Sequence, residues 1–183
     1  IEAHVALLRA GRGADITTGF PGISEFNHAI ADLPGREPQW IDRTSEFSRA
    51  NELPGSDRGR MALVAARDSQ APVLTPLPRA AENTYTETRT VTLSEFGKAT
   101  VREEIAATGE LELGLRDGMD GSRKSQEDAL KTYASSEYSG GKLRTFELTP
   151  SGDVGTPYRF VLDIDKAGIG ETTLATATVS LGW

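Results

Sequence analysis

A histidine and an aspartate stand in two successive apolar segments of this sequence. His28 lies within residues 26–33, and Asp42 ends the short segment 39–42. On neighbouring strands, such side chains supply a general base and the carboxylate that orients it, which are two of the three parts of a nucleophilic triad. The nucleophile itself is missing, because the chain has no cysteine and no serine in an activating pattern.

The residues alone leave two interpretations of this incomplete triad. A histidine on an apolar strand usually packs in a core or an interface, and an aspartate before Arg-Thr often belongs to a turn, so the pair can be structural. Alternatively, the sequence is part of a longer protein whose nucleophile precedes Ile1. The second interpretation rests on the opening of the sequence, which begins with isoleucine and runs directly into apolar residues.

The pair depends on short strands in the first half of the chain. A turn at Pro34-Gly35 favours antiparallel pairing of the two segments that carry the histidine and the aspartate. A catalytic arrangement then predicts that Nδ1 of His28 contacts the carboxylate of Asp42, which would fix one imidazole tautomer. Apolar runs bounded by glycine and proline predict the strands, over residues 1–10, 26–33, 39–42 and 61–66.

The second half of the chain is predicted to be a separate, β-rich domain. A proline-rich connector precedes a boundary within residues 80–83, so the predicted domains are residues 1–80 and 84–183. One helix is predicted, from Ser122 as its N-cap to Tyr138, because its apolar residues recur at helical spacing. The fold class is therefore α+β, mostly antiparallel β, with a sandwich-like second domain that contains one helix. Its strands are predicted over residues 85–93, 98–107, 111–115, 158–164 and 174–183.

Composition excludes several classes of function. The net charge is −7 and the pI about 4.9, so the surface repels phosphate backbones and we expect no nucleic-acid partner. No apolar run reaches the length that a membrane-spanning helix needs. The absence of cysteine excludes disulfides within the chain, and two histidines alone leave no zinc-type cluster, so we expect no metal and no cofactor.

Three ordered motifs near the start of the chain resemble the bacterial transglutaminase-like domain, a relative of papain-type cysteine proteases. An apolar strand ends in Leu7-Leu8-Arg9, and Phe26-Asn27-His28 follows. Trp40-Ile41-Asp42-Arg43-Thr44 then matches the family pattern Trp-x-Asp-Pro-Thr, apart from the arginine. The resemblance implies that His28 is the catalytic histidine, that Asp42 is its orienting aspartate, and that a catalytic cysteine lies on a helix upstream of Ile1.

The resemblance also implies a function for the whole parent protein. Members of the family attack peptide amide bonds with a cysteine thiolate, and then hydrolyse or transfer the acyl group on a peptide or protein substrate. This chain would be the C-terminal portion of such a protein, inactive by itself and located in the periplasm or the cell envelope. Without its helix the core would expose apolar surface, so we expect self-association or cover from another domain. His4 is expected to be structural.

A second hypothesis belongs to a different class of function. The chain would then be a non-catalytic binding or structural β-domain of a bacterial envelope protein. The missing nucleophile and the threonine-rich strands of the second half favour it. It predicts that His28 and Asp42 point apart.

Overall fold

The computed structural model describes residues 2–19, 21–50, 52–77 and 79–180. The chain divides into two compact units, Ile1–Asn83 and Thr84–Trp183. The described residues form two sheets, in which every paired strand is antiparallel, and two α-helices. The predicted α+β class, mostly antiparallel β, is confirmed. The prediction of a single helix was wrong.

The first unit is built on a five-stranded sheet. Its strands follow the apolar runs of the sequence, because each run buries alternate side chains on one face of the sheet. The strands are β1 (His4–Leu8), β2 (His28–Leu33), β3 (Gln39–Ile41), β4 (Met61–Val64) and β5 (Val73–Leu74). Their order in the sheet is β3-β2-β1-β4-β5.

The two faces of this sheet differ in their cover. The inner face carries the core of the unit, which consists of Ala6, Leu8, Ile30, Trp40, Leu53 and Ala62. The outer face is also apolar but is only partly covered: Val5 is 54% exposed and Ala29 is exposed. A sheet with two apolar faces, one of them only partly covered, leaves a surface that another element can cover. Self-association through this outer face stays a prediction.

The second unit consists of a sheet and two helices. The elements are β6 (Tyr85–Thr92), β7 (Gly97–Ala107), α1 (Glu110–Gly118), α2 (Arg123–Glu137), β8 (Lys142–Leu148), β9 (Tyr158–Thr172) and β10 (Ala177–Val179). The strand order in the sheet is β10-β9-β7-β6, and β8 also pairs with β9. Buried side chains of the sheet, such as Val101 and Phe160, pack with Leu130 and Ala134 of α2 in one core.

Helix α1 corrects a sequence prediction, because residues 111–115 were expected to form a strand. Leucines at every second position fit a strand, but the polar residues between them decide the structure. Glu112 and Arg116 stand one helical turn apart, and both are buried with Arg116 Nη2 2.6 Å from Glu112 Oε1. In a strand, Glu112 and Arg116 would share one face and the leucines the other, so burial of the leucines would expose the pair. The structure has the reverse arrangement, in which the pair is buried and Leu111 is 46% exposed.

Three other elements differ from prediction. Strand β5 (Val73–Leu74) lies in the segment that was predicted to be a proline-rich connector. Strand β8 was not predicted, because Lys142–Leu148 mixes charged and apolar residues. In the structure only Phe146 of this strand is buried. The final strand was expected over residues 174–183. The structure has β10 over Ala177–Val179, and residues 181–183 of that prediction lie outside the described residues.

Helix α2 begins and ends where the sequence predicts. The hydroxyl of Ser122 accepts a hydrogen bond from the N–H of Ser125 at 3.1 Å, which caps one of the free amides of the first turn. Gly140 follows the helix with a φ of 87°, a left-handed conformation that glycine adopts without strain. The N–H of Gly140 donates to the carbonyl of Ser135 at 2.8 Å and so closes the last turn.

Truncation of Leu130 to alanine is expected to destabilise the second unit by about 2–5 kcal/mol, because the side chain is 1% exposed and its removal leaves a cavity between α2 and the sheet. Urea unfolding measures the loss. Leu111→Ala is the matched control, since that leucine is largely exposed and should change stability by about 0.5 kcal/mol or less. Equal losses for the two variants would contradict the described packing.

Candidate functional site

The structure brings His28 and Asp42 together in the first unit. His28 begins β2, and Asp42 directly follows β3, its neighbour in the sheet. Nε2 of His28 lies 3.2 Å from Oδ2 of Asp42. The two side chains therefore point toward each other, whereas the hypothesis of a non-catalytic binding or structural domain predicts that they point apart.

The contacting nitrogen differs from the predicted one, which was Nδ1. Strands β2 and β3 pair Ala31 with Ile41, and this register continued by one residue sets Asp42 opposite Ile30 instead of His28. The imidazole therefore reaches the carboxylate diagonally along the strand, with its distal nitrogen Nε2. Nδ1 is left without a hydrogen-bond or ion-pair partner among the described residues.

Thr44 holds the carboxylate of Asp42 in place. Oδ1 of Asp42 accepts hydrogen bonds from the backbone N–H and the hydroxyl of Thr44, both at 2.8 Å. Burial raises the pKa of Asp42, but the hydrogen bonds from Thr44 and the contact with His28 together outweigh it, so the pKa lies below the ordinary aspartate value. Asp42 is therefore ionised at neutral pH and fixed in one orientation.

A second carboxylate, which the sequence did not single out, completes the cluster. Asp57 is fully buried, and its Oδ2 lies 3.6 Å from Nε2 of His28. Its Oδ1 accepts a hydrogen bond from the hydroxyl of Ser56 at 3.0 Å, whereas Oδ2 accepts none. Burial raises the pKa of Asp57 above its ordinary value, and the nearby charge of Asp42 adds to the rise, although Ser56 and His28 oppose it.

Asp57 is held in place partly by a residue that is distant in sequence. Asp57 ends a turn that begins at Pro54, and its N–H donates to the carbonyl of Pro54 at 2.9 Å. The buried hydroxyl of Thr75, at the end of β5, donates to the carbonyl of Asp57 at 2.6 Å. This bond ties the turn to the edge of the sheet, and no local pattern signals it.

The imidazole borders an open cleft. The side chain of His28 is 21% exposed, and together with Thr44 it lines a cleft of about 510 Å³. Asn27 fixes the approach to β2 through two hydrogen bonds with the backbone of Ala10, at 2.7 and 3.1 Å. A reactant in the cleft can therefore reach the histidine. The cleft is also lined by Leu7, Ile23, Phe26, Asn27 and Ala29.

The other histidine provides a useful comparison. Nδ1 of His4 lies 3.5 Å from Oδ2 of Asp32, and its Nε2 lies 3.4 Å from Glu2. This pair resembles the first in chemistry, but Glu2 is 74% exposed and no third buried carboxylate stands beside it among the described residues. His4 is thus a natural control for experiments on His28.

Replacement of Asp57 by asparagine is expected to raise the free energy of unfolding at neutral pH. The pKa of Asp57 is raised in the folded state, so folding favours the protonated carboxyl. The stability that Asp57 contributes is therefore present below the unfolded pKa of about 3.9, and it is lost as pH rises through the folded pKa. Urea unfolding at neutral and acidic pH should show a gain that disappears on acidification.

Asp42→Asn is the matched control for that prediction. Its pKa is lowered, so its contribution is present above the unfolded pKa and is lost as pH falls through the folded pKa. The asparagine variant at position 42 should therefore be less stable than the wild type at neutral pH. A destabilised Asp57→Asn variant at neutral pH would contradict the described environment of Asp57.

Comparison of the chain with family models, with curated proteins and with solved structures found no match. Within the described residues, neither helix has the length and apolar character required to cross a membrane.

Proposed function

We propose that His28 and Asp42 are the general base and the orienting carboxylate of a transglutaminase-like cysteine enzyme, which is completed in a longer parent protein by a thiol outside these 183 residues. The observation that carries the proposal is the contact of His28 Nε2 with the fixed, ionised carboxylate of Asp42. This contact occupies one nitrogen of the imidazole and leaves the other available for a nucleophile. The resemblance of the three sequence motifs supports the same assignment.

The chemistry follows from these positions. His28 Nδ1 takes the proton of the cysteine thiol, and the thiolate attacks the carbonyl carbon of a peptide amide. Asp42 stabilises the imidazolium that forms and keeps it oriented. The imidazolium then protonates the leaving amine as the C–N bond breaks, which leaves a thioester. Water or a second amine attacks the thioester, gives its proton back to His28, and releases the acid or the new amide.

The outer face of the first sheet supports the presence of another element. Val5 is half-exposed, and Leu7 and Ala29 of the same face line the cleft beside His28. A helix that packs its apolar side on this face would bring one of its ends to the cleft. His28 pairs with Leu8 and stands on the opposite face of β2 from Ala29, so a cysteine at that end would have to reach the imidazole through the cleft that both His28 and Ala29 line.

Alkylation of the full-length parent protein with iodoacetamide tests the proposal. We expect one cysteine to react rapidly at neutral pH, because His28 and Asp42 promote its thiolate form, and peptide mapping should place it on a helix before Ile1. His28→Gln should slow this reaction to the rate of an ordinary thiol, whereas His4→Gln should leave it unchanged. A parent protein without such a cysteine, or one whose cysteine reacts equally fast in the His28→Gln variant, would overturn the proposal and favour a non-catalytic binding domain.

A further inference from the structure

We infer that His28, Asp42 and Asp57 form a binding site for a divalent transition-metal ion of the zinc type. The site goes beyond the proposed function, which makes no use of Asp57. One imidazole nitrogen and one oxygen from each carboxylate lie within 4.8 Å of one another. These three residues are the only such group of metal-ligating side chains in the part of the chain that the structure describes.

The distances from the histidine to the two carboxylates fit a tetrahedral ion. Bonds of about 2.0–2.2 Å to nitrogen and oxygen at tetrahedral angles separate neighbouring ligand atoms by about 3.4 Å. His28 Nε2 lies 3.2 Å from Asp42 Oδ2 and 3.6 Å from Asp57 Oδ2, on either side of that value. One histidine and two carboxylates leave a fourth position, and the cleft beside His28 gives water access to this end of the site.

Asp57 supplies independent evidence for a ligand. Its side chain is completely buried, and Oδ2, the oxygen that faces His28, accepts no hydrogen bond from the described residues. Buried polar atoms are nearly always paired, because an unpaired one costs the free energy of its lost hydration. A cation between the three side chains would satisfy this oxygen and neutralise the two neighbouring carboxylates.

Both carboxylates are held in the way that ligands of a metal site usually are. The N–H and the hydroxyl of Thr44 donate to Oδ1 of Asp42, and the same hydroxyl also lies 3.0 Å from Oδ2. Ser56 donates one hydrogen bond to Oδ1 of Asp57. In each case Oδ2 is the oxygen that faces His28. Such outer contacts orient ligands and raise metal affinity.

Metal binding and the proposed base function would compete. An ion on Nε2 takes the place of the contact between His28 and Asp42, so the imidazole cannot be oriented by that carboxylate at the same time. Zinc is therefore expected to inhibit the parent enzyme.

Isothermal titration of the 183-residue chain with Zn²⁺ tests the site, and the visible absorption of Co²⁺ reports its geometry. We expect one ion per chain and the intense Co²⁺ bands of a tetrahedral site. His28→Gln and Asp57→Asn should each weaken Zn²⁺ binding at least about tenfold, the loss typical of even indirect changes at metal sites. His4→Gln should bind Zn²⁺ as the wild type does.

Two outcomes would overturn the inference. In one, the wild-type chain does not bind Zn²⁺; in the other, both His28→Gln and Asp57→Asn bind Zn²⁺ as tightly as the wild type. Circular dichroism without metal shows whether each variant is folded. If Asp57→Asn does not fold, the partly exposed His28 decides: lost binding in His28→Gln supports the site, and retained binding refutes it. None of these outcomes depends on a thiol, so the metal site and the proposed enzyme function stand or fall separately.

Discussion

In the full-length parent protein, His28→Gln is expected to lower kcat/KM for a peptide amide by about 10²–10⁴-fold, the usual contribution of a positioned general base and acid. Glutamine can occupy the space beside Asp42 but cannot carry the thiol proton to the leaving amine. The only other histidine, His4, stands next to Asp32 in a similar pair. His4→Gln is therefore the matched control and should retain the wild-type rate.

The role of Asp42 gives this prediction a second arm. Asp42 contacts the imidazole instead of the substrate, so it acts as a positioning residue, and Asp42→Asn should lower kcat with little change in KM. Asp42→Glu, which keeps the charge but moves it, should recover part of the loss. Steady-state kinetics with one peptide substrate measures all four variants. Equal activity of the His28→Gln and His4→Gln variants would refute catalysis by His28.

In the second unit, Arg116→Met is expected to cost about 3–5 kcal/mol in the free energy of unfolding, as the removal of one partner from a buried ion pair usually does. Arg116 is completely buried, and its Nε and Nη2 donate to Glu112 Oε1 at 2.9 and 2.6 Å. Its guanidinium also lies 5.0 Å from the ring centre of Tyr158. Methionine fills a similar volume but leaves the carboxylate of Glu112 buried without its cation.

The same substitution leaves backbone carbonyls without a donor. Arg116 Nη1 donates to the carbonyl of Ser151 at 2.8 Å, and Nη2 donates to that of Thr156 at 2.6 Å. These bonds hold the loop between β8 and β9 against helix α1. In Arg116→Met this loop should therefore lose local stability in addition to the loss of global stability. Hydrogen exchange of the amides in this loop would report it.

Two comparisons make the stability prediction specific. The double variant Glu112→Gln/Arg116→Met should lose less stability than Arg116→Met alone, because it no longer buries an unpaired charge. Arg144, whose side chain is 57% exposed, gives the matched control, and Arg144→Met should change stability by about 0.5 kcal/mol or less. Urea unfolding measures each variant. A loss at Arg116 no larger than at Arg144 would contradict the buried network.

Local patterns predicted the elements whose structure depends on neighbours in sequence. Alternating apolar residues predict β9, and Ser122 followed by helically spaced apolar residues predicts the start of α2. The segment 111–115 shows the limit of this approach, because alternating leucines fit both a strand and a short helix. Burial of Glu112 with Arg116 selects the helix, and burial is a tertiary property.

The sequence by itself determined that His28 and Asp42 belong to two successive apolar segments, and the short turn between these segments favours their pairing as neighbouring strands. Only the tertiary structure decided which nitrogen meets the carboxylate, because the strand register fixes the diagonal contact. Asp57 likewise enters the site through the bond from Thr75 to its carbonyl, across a wide gap in sequence. A turn residue has no periodic pattern that reports such a contact, so its burial against His28 depends on the folded arrangement of the sheet and its edge.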